Sequence, residues 1–472
     1  MARNPMPDVL IVIPGILGSV LRHREREVWG LSVAAGLHAL ASLGSSITDL
    51  TLTEDSGDPD AIVDEVEADR ILPDLHLFPY LWKIDGYAAL TATLAETFRI
   101  ERGKNYFEFP YDWRRDNRAA ARRLKKCSDR WLHDWRKASG NAAAKLIIVA
   151  HSMGGLVARY SLEVLDGWRD TKALVTFGTP YRGSVNALRT LVEGVRKGPF
   201  GVFDLSSLAR SFTSVYQLLP TYPCVAGFSG EPMYLTDCPT LPYVSMAKLQ
   251  DAAAFHTEIR QAVDAHLKDE QYVREGYRLI PVVGTHQETL QSAKLGEGGS
   301  VELLRHHAGR NLKGDGTVPR ISATPVELSN KMLETYVATC HASLQNATEA
   351  LHHVCEAITS LDLDLTAPVY RVSPSALIKV ALDIEDAYWD DEPVSIRVLT
   401  EPSPSPALHA VVTENQNGTE IARVNYPAGR EGWISAELAP LRPGVYRCAI
   451  EGFTGVSPVA DVFTVFNHRQ WA

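Results

Sequence analysis

Short apolar runs bounded by turn residues recur along the first three quarters of the chain: Val9 to Ile13, Lys145 to Ala150, Leu174 to Phe177 and Leu279 to Val283. Runs of this length, rich in Val, Ile and Leu, predict strands buried on both faces. Between them the apolar positions widen to helical spacing. Tyr87, Leu90, Leu94 and Phe98 share one face, and a second helix spans Asp116 to Ala138 and stops at Gly140. Strands alternating with helices predict the α/β class, a doubly wound, mostly parallel sheet that gathers functional groups at the carboxyl ends of its strands.

The pattern changes twice. From about residue 181 to 278 the strand signal gives way to short helical pieces and the Pro- and Tyr-rich stretch Leu219-Pro-Thr-Tyr-Pro223, the place for a helical cap or lid inserted after a core strand. A helix beginning near Ala342 then carries Leu344, Leu351, Val354 and Ile358 on one face. From about 376 onward strand-like runs follow one another, Val394 to Thr400, Leu408 to Thr413, Gly418 to Val424, Trp433 to Leu438, Val445 to Ile450 and Val459 to Val465, separated by Pro, Gly and Asn turns. These predict an α/β domain over 1–365 and an immunoglobulin-like β-sandwich over 376–472.

The length of 472 residues agrees with two cores rather than one, and 45% hydrophobic with 22% charged residues describes an ordered globular chain. A net charge of −10 disfavours nucleic acid and broad attachment to anionic lipid, so any contact with a membrane surface should be apolar, peripheral and transient. The basic stretch Arg114 to Lys137 is no exception: Leu124, Cys127, Trp131 and Trp135 recur through it at helical spacing, which makes its charges one solvated face. The apolar stretch at Val9 to Ile13 is too short for a secretory signal, and no run approaches the roughly 20 residues of a membrane span. A cytoplasmic location is the resulting expectation. Cys127, Cys224, Cys238, Cys340, Cys355 and Cys448 form no CxxC pair, so thiols are expected; Cys224 and Cys238 flank a loop and would pair only after export.

The strongest local signal is Leu146-Ile-Ile-Val-Ala-His-Ser-Met-Gly-Gly155, an apolar strand entering a small-x-Ser-x-Gly turn and then a helix through Leu156, Tyr160 and Leu165. This is the pattern of a nucleophile elbow, in which a crowded turn lifts the hydroxyl of Ser152 above the sheet edge; Ala150 stands where a glycine is usual. A serine needs a histidine base and a carboxylate that holds the imidazole in one tautomer, following in the order Ser, Asp or Glu, His. Asp315, between two glycines in Lys313-Gly-Asp-Gly-Thr-Val-Pro319, and His341, at the loop-to-helix junction Thr339-Cys-His-Ala-Ser-Leu344, fall where these partners belong. His286, His306, His307, His352 and His353 are alternatives by composition alone, and none shows metal-ligand spacing, so neither metal nor cofactor is expected. Donors for a tetrahedral oxyanion would come from the backbone N–H of Met153 and from the Gly-rich loop Ile13-Pro-Gly-Ile-Leu-Gly-Ser19, with Ile16 first and Leu17 second. That loop lacks the lysine of a phosphate-binding loop.

Six segments stand in a characteristic order: Pro14-Gly-Ile-Leu-Gly-Ser19, Tyr111-Asp-Trp-Arg114, Ala150-His-Ser-Met-Gly-Gly155, Gly178-Thr-Pro-Tyr-Arg-Gly-Ser184, Gly314-Asp-Gly-Thr-Val-Pro319 and Cys340-His-Ala-Ser-Leu344. Over residues 8 to 360 this set resembles the lecithin:cholesterol acyltransferase (LCAT)-like family of α/β-hydrolases. The resemblance implies Ser152 as nucleophile, Asp315 as orienter, His341 as base, and Met153 and Ile16 as oxyanion donors. It marks Tyr111 to Arg114 and Gly178 to Pro180 as family features, read structurally as a buried Asp–Arg pairing and a tight turn. It also makes Ser211 to Pro220 a cap segment in which Phe212, Val215, Tyr216, Leu218 and Leu219 are candidates for an acyl tunnel. The C-terminal β-domain is not part of that pattern and is a candidate docking site for a protein or glycan.

The expected activity is therefore hydrolysis of lipid esters through an acyl-enzyme, with acyl transfer to an alcohol as a variant. An esterase for small or polymeric esters and a non-catalytic binding protein with a lipase-like fold are the alternatives.

Overall fold

The computed structural model describes residues 3–30, 49–73, 76–77, 83–197, 203–227, 230–238, 241–329, 334–362, 379–401, 405–415, 418–452 and 459–467. The expected domain boundary, between 365 and 376, lies outside the described residues. Six strands build the central sheet: β1 (Val9–Ile13), β2 (Tyr106–Glu108), β3 (Leu146–His151), β4 (Thr171–Phe177), β5 (Arg278–Gly284) and β6 (Thr335–Val337). Their order across the sheet is β6-β5-β4-β3-β1-β2, and every neighbouring pair is parallel. All residues of β1 and β3 are buried, as uninterrupted Val, Ile and Leu runs require when helices cover both faces. Because the strands are parallel, the loops after β1, β3, β4, β5 and β6 all leave from one edge, and every candidate catalytic group is on or beyond that edge.

Helix α1 (Asn117–Ser139) begins where the Asp116 side chain accepts the Arg118 N–H and ends at Gly140 in the left-handed region. Its basic residues are mostly solvent-facing, but Arg118 turns inward and pairs with Asp116, Asp251 and Glu258. The last two lie on α2 (Met246–His266), so the longest cap helix is tied to the core by a guanidinium and three carboxylates. The region between β4 and β5 is largely helical, with short strands at Arg196–Lys197, Phe203–Asp204, Val225–Ala226 and Pro232–Met233. The last two join Ser292–Leu295 and Val301–Leu304 in a four-stranded sheet.

Two further sheets form the C-terminal sandwich. The first comprises β7 (Lys379–Ile384), β9 (Val394–Glu401) and β12 (Ile434–Leu438), in the order β7-β9-β12. The second comprises β8 (Ala387–Trp389), β10 (Leu408–Glu414), β11 (Glu420–Tyr426), β13 (Gly444–Gly452) and β14 (Val459–Phe466), in the order β8-β14-β13-β10-β11. Alternation along β9 buries Val394, Ile396 and Val398 and turns Arg397 to the opposite face, as a period of two dictates. Val380, Leu382, Leu408, Cys448 and Phe463 complete this second core. Cys127, Cys224, Cys238 and Cys355 are free thiols. No helix among the described residues is long and apolar enough to cross a membrane.

Candidate active site

The turn after β3 is strained. Ser152 has φ 51° and ψ −125°, a backbone conformation that side-chain-bearing residues rarely adopt and that persists only when its surroundings hold it. Its N–H donates to the Phe177 carbonyl at 2.8 Å, and its own carbonyl accepts the Thr179 hydroxyl at 2.9 Å, so β4 and the loop after it grip the elbow from one side. A side chain at Gly154 or Gly155 would collide with the Pro14 carbonyl or with Thr179, which explains the two glycines in physical terms.

Ser152, Asp315 and His341, separated by up to 189 positions in the chain, meet there. His341 Nε2 stands 2.9 Å from Ser152 Oγ, and Nδ1 stands 2.7 Å from Asp315 Oδ2. Asp315 Oδ1 accepts the backbone N–H groups of Thr317 and Val318 at 2.9 and 2.6 Å, leaving Oδ2 for the imidazole. In this arrangement His341 donates through Nδ1 to the carboxylate, and its Nε2 is free to accept the serine proton. Asp315 is 1% exposed while the His341 side chain is 12% exposed, so the carboxylate is sealed and the imidazole faces the pocket. Gly178 has φ 55°, and a Cβ there would lie 2.9 Å from Asp315 Oδ2 and 3.0 Å from His341 Nδ1; its lack of a side chain makes room for the pair.

Tyr111 to Arg114 braces the loop after β1. The Tyr111 hydroxyl donates to the Pro14 carbonyl at 3.1 Å and Trp113 Nε1 to the Ser19 carbonyl at 3.1 Å. Arg114, fully buried, pairs with Asp112 through Nε and Nη2 at 2.9 and 2.7 Å, and donates to the Leu50 and Val63 carbonyls. The expected Asp–Arg pairing is thus present, and the motif positions the oxyanion-loop candidate. Ile16 lines the pocket, Met153 opens the helix Met153–Arg159, and the Leu17 side chain is buried in the core with its carbonyl held by Trp29 Nε1.

Two residues that sequence reasoning missed join this loop to His341. The Gly15 N–H donates to the Tyr87 hydroxyl at 2.8 Å; that hydroxyl stands 3.0 Å from His151 Nδ1; and His151 Nε2 stands 3.2 Å from the His341 carbonyl. One proton arrangement satisfies the chain: the tyrosine donates to Nδ1 and the imidazole donates through Nε2. Burial, with the nearby His341, holds the His151 pKa well below the ordinary histidine value, so the ring is neutral. A tyrosine 64 positions upstream of a histidine carries no local sequence signal.

The pocket over Ser152 is a cavity of about 450 Å³. The five acyl-tunnel candidates divide: Val215 and Leu218 line this pocket, Tyr216 and Leu219 line a separate cavity of about 790 Å³ toward the cap, and Phe212 turns into the core, 5.5 Å edge-on from Trp113. Three-residue spacing pairs Val215 with Leu218 and Tyr216 with Leu219, whereas Phe212 is extended at the start of the helix Thr213–Gln217 and does not follow its phase. Buried Gln217 anchors this segment, its amide reaching the Asn117 N–H and Asp116 Oδ1. Among the described residues no cluster of three or more His, Cys, Asp or Glu could hold a metal ion. Of the histidine alternatives, His286 pairs with Glu401, His353 with Thr335, and His307 packs on Tyr222, none of them beside Ser152.

Strand order and elbow together define an α/β-hydrolase. The model of the lecithin:cholesterol acyltransferase family matches residues 79–292, and over that stretch the chain is similar to that family. Asp315 and His341 lie beyond that span. No curated protein matches the sequence. Among solved structures, the Bacillus licheniformis lipase BlEst2 in mature form is 12% identical, over 76% of this chain and 95% of the lipase, with a TM-score of 0.34. Phospholipase PlaB from Legionella pneumophila is 8% identical, over 97% of this chain and 92% of its own, with a TM-score of 0.24. A CARDB domain from Pyrococcus furiosus is 16% identical, over 19% of this chain and 94% of its own, with a TM-score of 0.15. The family match supports a lipid ester hydrolase or acyltransferase.

Proposed function

We propose that the protein is a serine acyl hydrolase of lipid esters, with Ser152 as nucleophile, His341 as general base and acid, and Asp315 as the carboxylate that orients the imidazole. Ser152 Oγ attacks the ester carbonyl and passes its proton to His341 Nε2. The tetrahedral oxyanion is met by the backbone N–H of Met153 and of Ile16, with Leu17 as the next donor in the loop. The C–O bond to the alcohol then breaks, and His341 returns the proton to the departing oxygen. Water attacks the acyl-enzyme while giving a proton to His341, the acyl C–O bond to Ser152 breaks, and the proton returns to the serine with release of the carboxylic acid. An alcohol in place of water would make the second half an acyl transfer.

The observation that carries this reading is the hydrogen-bonded chain from Ser152 Oγ through His341 to Asp315, sealed on the aspartate side and open on the serine side. Apolar Ile16, Val215 and Leu218 on the wall of the pocket favour an acyl chain over a small polar group. Exposed Tyr234, Leu267 and Val326 rim the cap-side cavity, a surface suited to transient contact with lipid. The test is acyl release from phospholipid vesicles: the parent protein liberates fatty acid, and Ser152→Ala lowers the rate by about 10⁴-fold or more. Turnover by Ser152→Ala at the parental rate would contradict the assignment.

A further inference from the structure

The pocket over Ser152 is built by both domains. Ile16, Val215 and Leu218 come from the catalytic domain, whereas Leu382, Arg397 and Trp433 come from the β-sandwich. Both sides mix polar and apolar groups: the α/β side also presents Asn186, Arg189 and Arg305, and the sandwich side Ile384. On the sandwich side, the outward face of its three-stranded sheet presents Asp383 and Arg397, directly opposite one another across β7 and β9 and 3.1 Å apart, with the guanidinium 4.9 Å from the Trp433 ring centre.

Several separate contacts hold this wall in place. The buried Gln287 amide spans the gap to the free edge of β7, donating to the Val380 carbonyl and accepting the Leu382 N–H, at 3.5 and 3.3 Å. Its backbone exchanges hydrogen bonds with Gly314, the neighbour of Asp315, at 2.9 and 3.1 Å. Cys340, next to His341, packs against the sandwich core. Arg447 Nη1 pairs with Asp85 at 2.6 Å, and the Asp85 N–H donates to the Ala342 carbonyl. An edge strand capped by a buried amide and an ion pair whose carboxylate is 8% exposed are features of a fixed interface, not of a tethered module.

We propose that the β-sandwich is the specificity-determining wall of the catalytic pocket, with Arg397 and Trp433 receiving the alcohol half of the ester while the acyl half lies on Val215 and Leu218. This rests on the acyl hydrolase reading and extends it: the substrate is an ester with a large, polar alcohol moiety, and the sandwich reads that moiety. An indole backed by a guanidinium offers an apolar plate and hydrogen-bond donors together, which suits a hydrated polar group carried on a carbon skeleton. A small alcohol would leave the wall untouched.

The experiment compares two octanoyl esters, of methanol and of glycerophosphocholine, on the full chain. Because the ratio of their kcat/KM values comes from one preparation, a variant that folds only in part cannot shift it. Trp433→Ala and Arg397→Ala should each lower the ratio of the glycerophosphocholine ester to the methyl ester about ten-fold, chiefly through KM, with Arg397→Lys recovering part of the loss. A ratio that stays within about two-fold of the parent in both alanine variants, whether the individual rates hold or fall together, overturns the wall. A parent protein that turns over neither ester contradicts the acyl hydrolase reading itself, and the wall with it. Turnover with an unmoved ratio contradicts the wall alone.

Discussion

Tyr87 shows how much one hydroxyl can do. It accepts from the Gly15 N–H and reaches His151, whose other nitrogen holds the carbonyl of His341, so one phenol ties the oxyanion-loop candidate to the proposed base. Tyr87→Phe keeps the ring packed and removes only the hydrogen bonds. We expect kcat to fall about ten-fold with a smaller change in KM, measured on a soluble ester, because the loss is one of alignment rather than of substrate contact. An unchanged kcat would show that the loop is held without it. His151 and His256 carry a second residue-scale prediction. Burial depresses both, His256 to about 4, so each is neutral in the folded protein and is more readily protonated when unfolded. Stability is therefore whole above the ordinary histidine value of 6.5 and declines as pH falls from there toward 4, where the folded protein takes up the His256 proton itself. The melting temperature should drop across that window, and His256→Gln should flatten the drop; an equally steep decline in the variant would contradict the assignment.

Elements account for why the site is where it is. Parallel strands send their connecting loops to one edge, and the loops after β1, β3 and β4 supply the oxyanion candidate, the elbow and the turn that makes room for the Asp–His pair. The strands at Val9, Leu146, Thr171 and Arg278 were legible because a strand buried on both faces must be apolar throughout. β2 and β6 have three residues each and carry polar groups, which is too little for a periodicity to register. On the C-terminal side the longer alternating strands were legible, while β7 and β8 were not separated from the turns around them. The triad candidates could be read because the elbow, Gly-Asp-Gly and Cys-His-Ala-Ser each stand in a short motif. The acyl-tunnel candidates could not be sorted, since only the helical phase of Thr213–Gln217 decides that Val215 meets the pocket and Tyr216 does not. Gly178 yields the prediction at this scale. Gly178→Ala must either leave its left-handed conformation or push against Asp315 and His341, and we expect kcat to fall about 100-fold while the cap and sandwich stay folded by circular dichroism. Near-parental activity would mean that the turn tolerates a side chain.

For the whole molecule, the consequence is that the two cores are not independent. The sandwich closes one side of the pocket over Ser152, and the α/β domain caps an edge strand of the sandwich. Nothing in a linear reading joins residue 287 to residue 382 or residue 85 to residue 447, which is why the sandwich reads from sequence as an appended docking module. Arg447→Ala leaves Asp85 largely buried without its cation and should cost about 1–3 kcal/mol, seen as a lower denaturation midpoint. A midpoint equal to that of the parent would mean that the interface is held without this pair. The central claim, that Ser152 is a nucleophile activated by His341, is tested most directly by exposing the protein to a fluorophosphonate probe and mapping the adduct by mass spectrometry. The account predicts one adduct, on Ser152, strongly slowed in His341→Ala. A folded parent protein that takes up no probe, or takes it up on another residue, would contradict it.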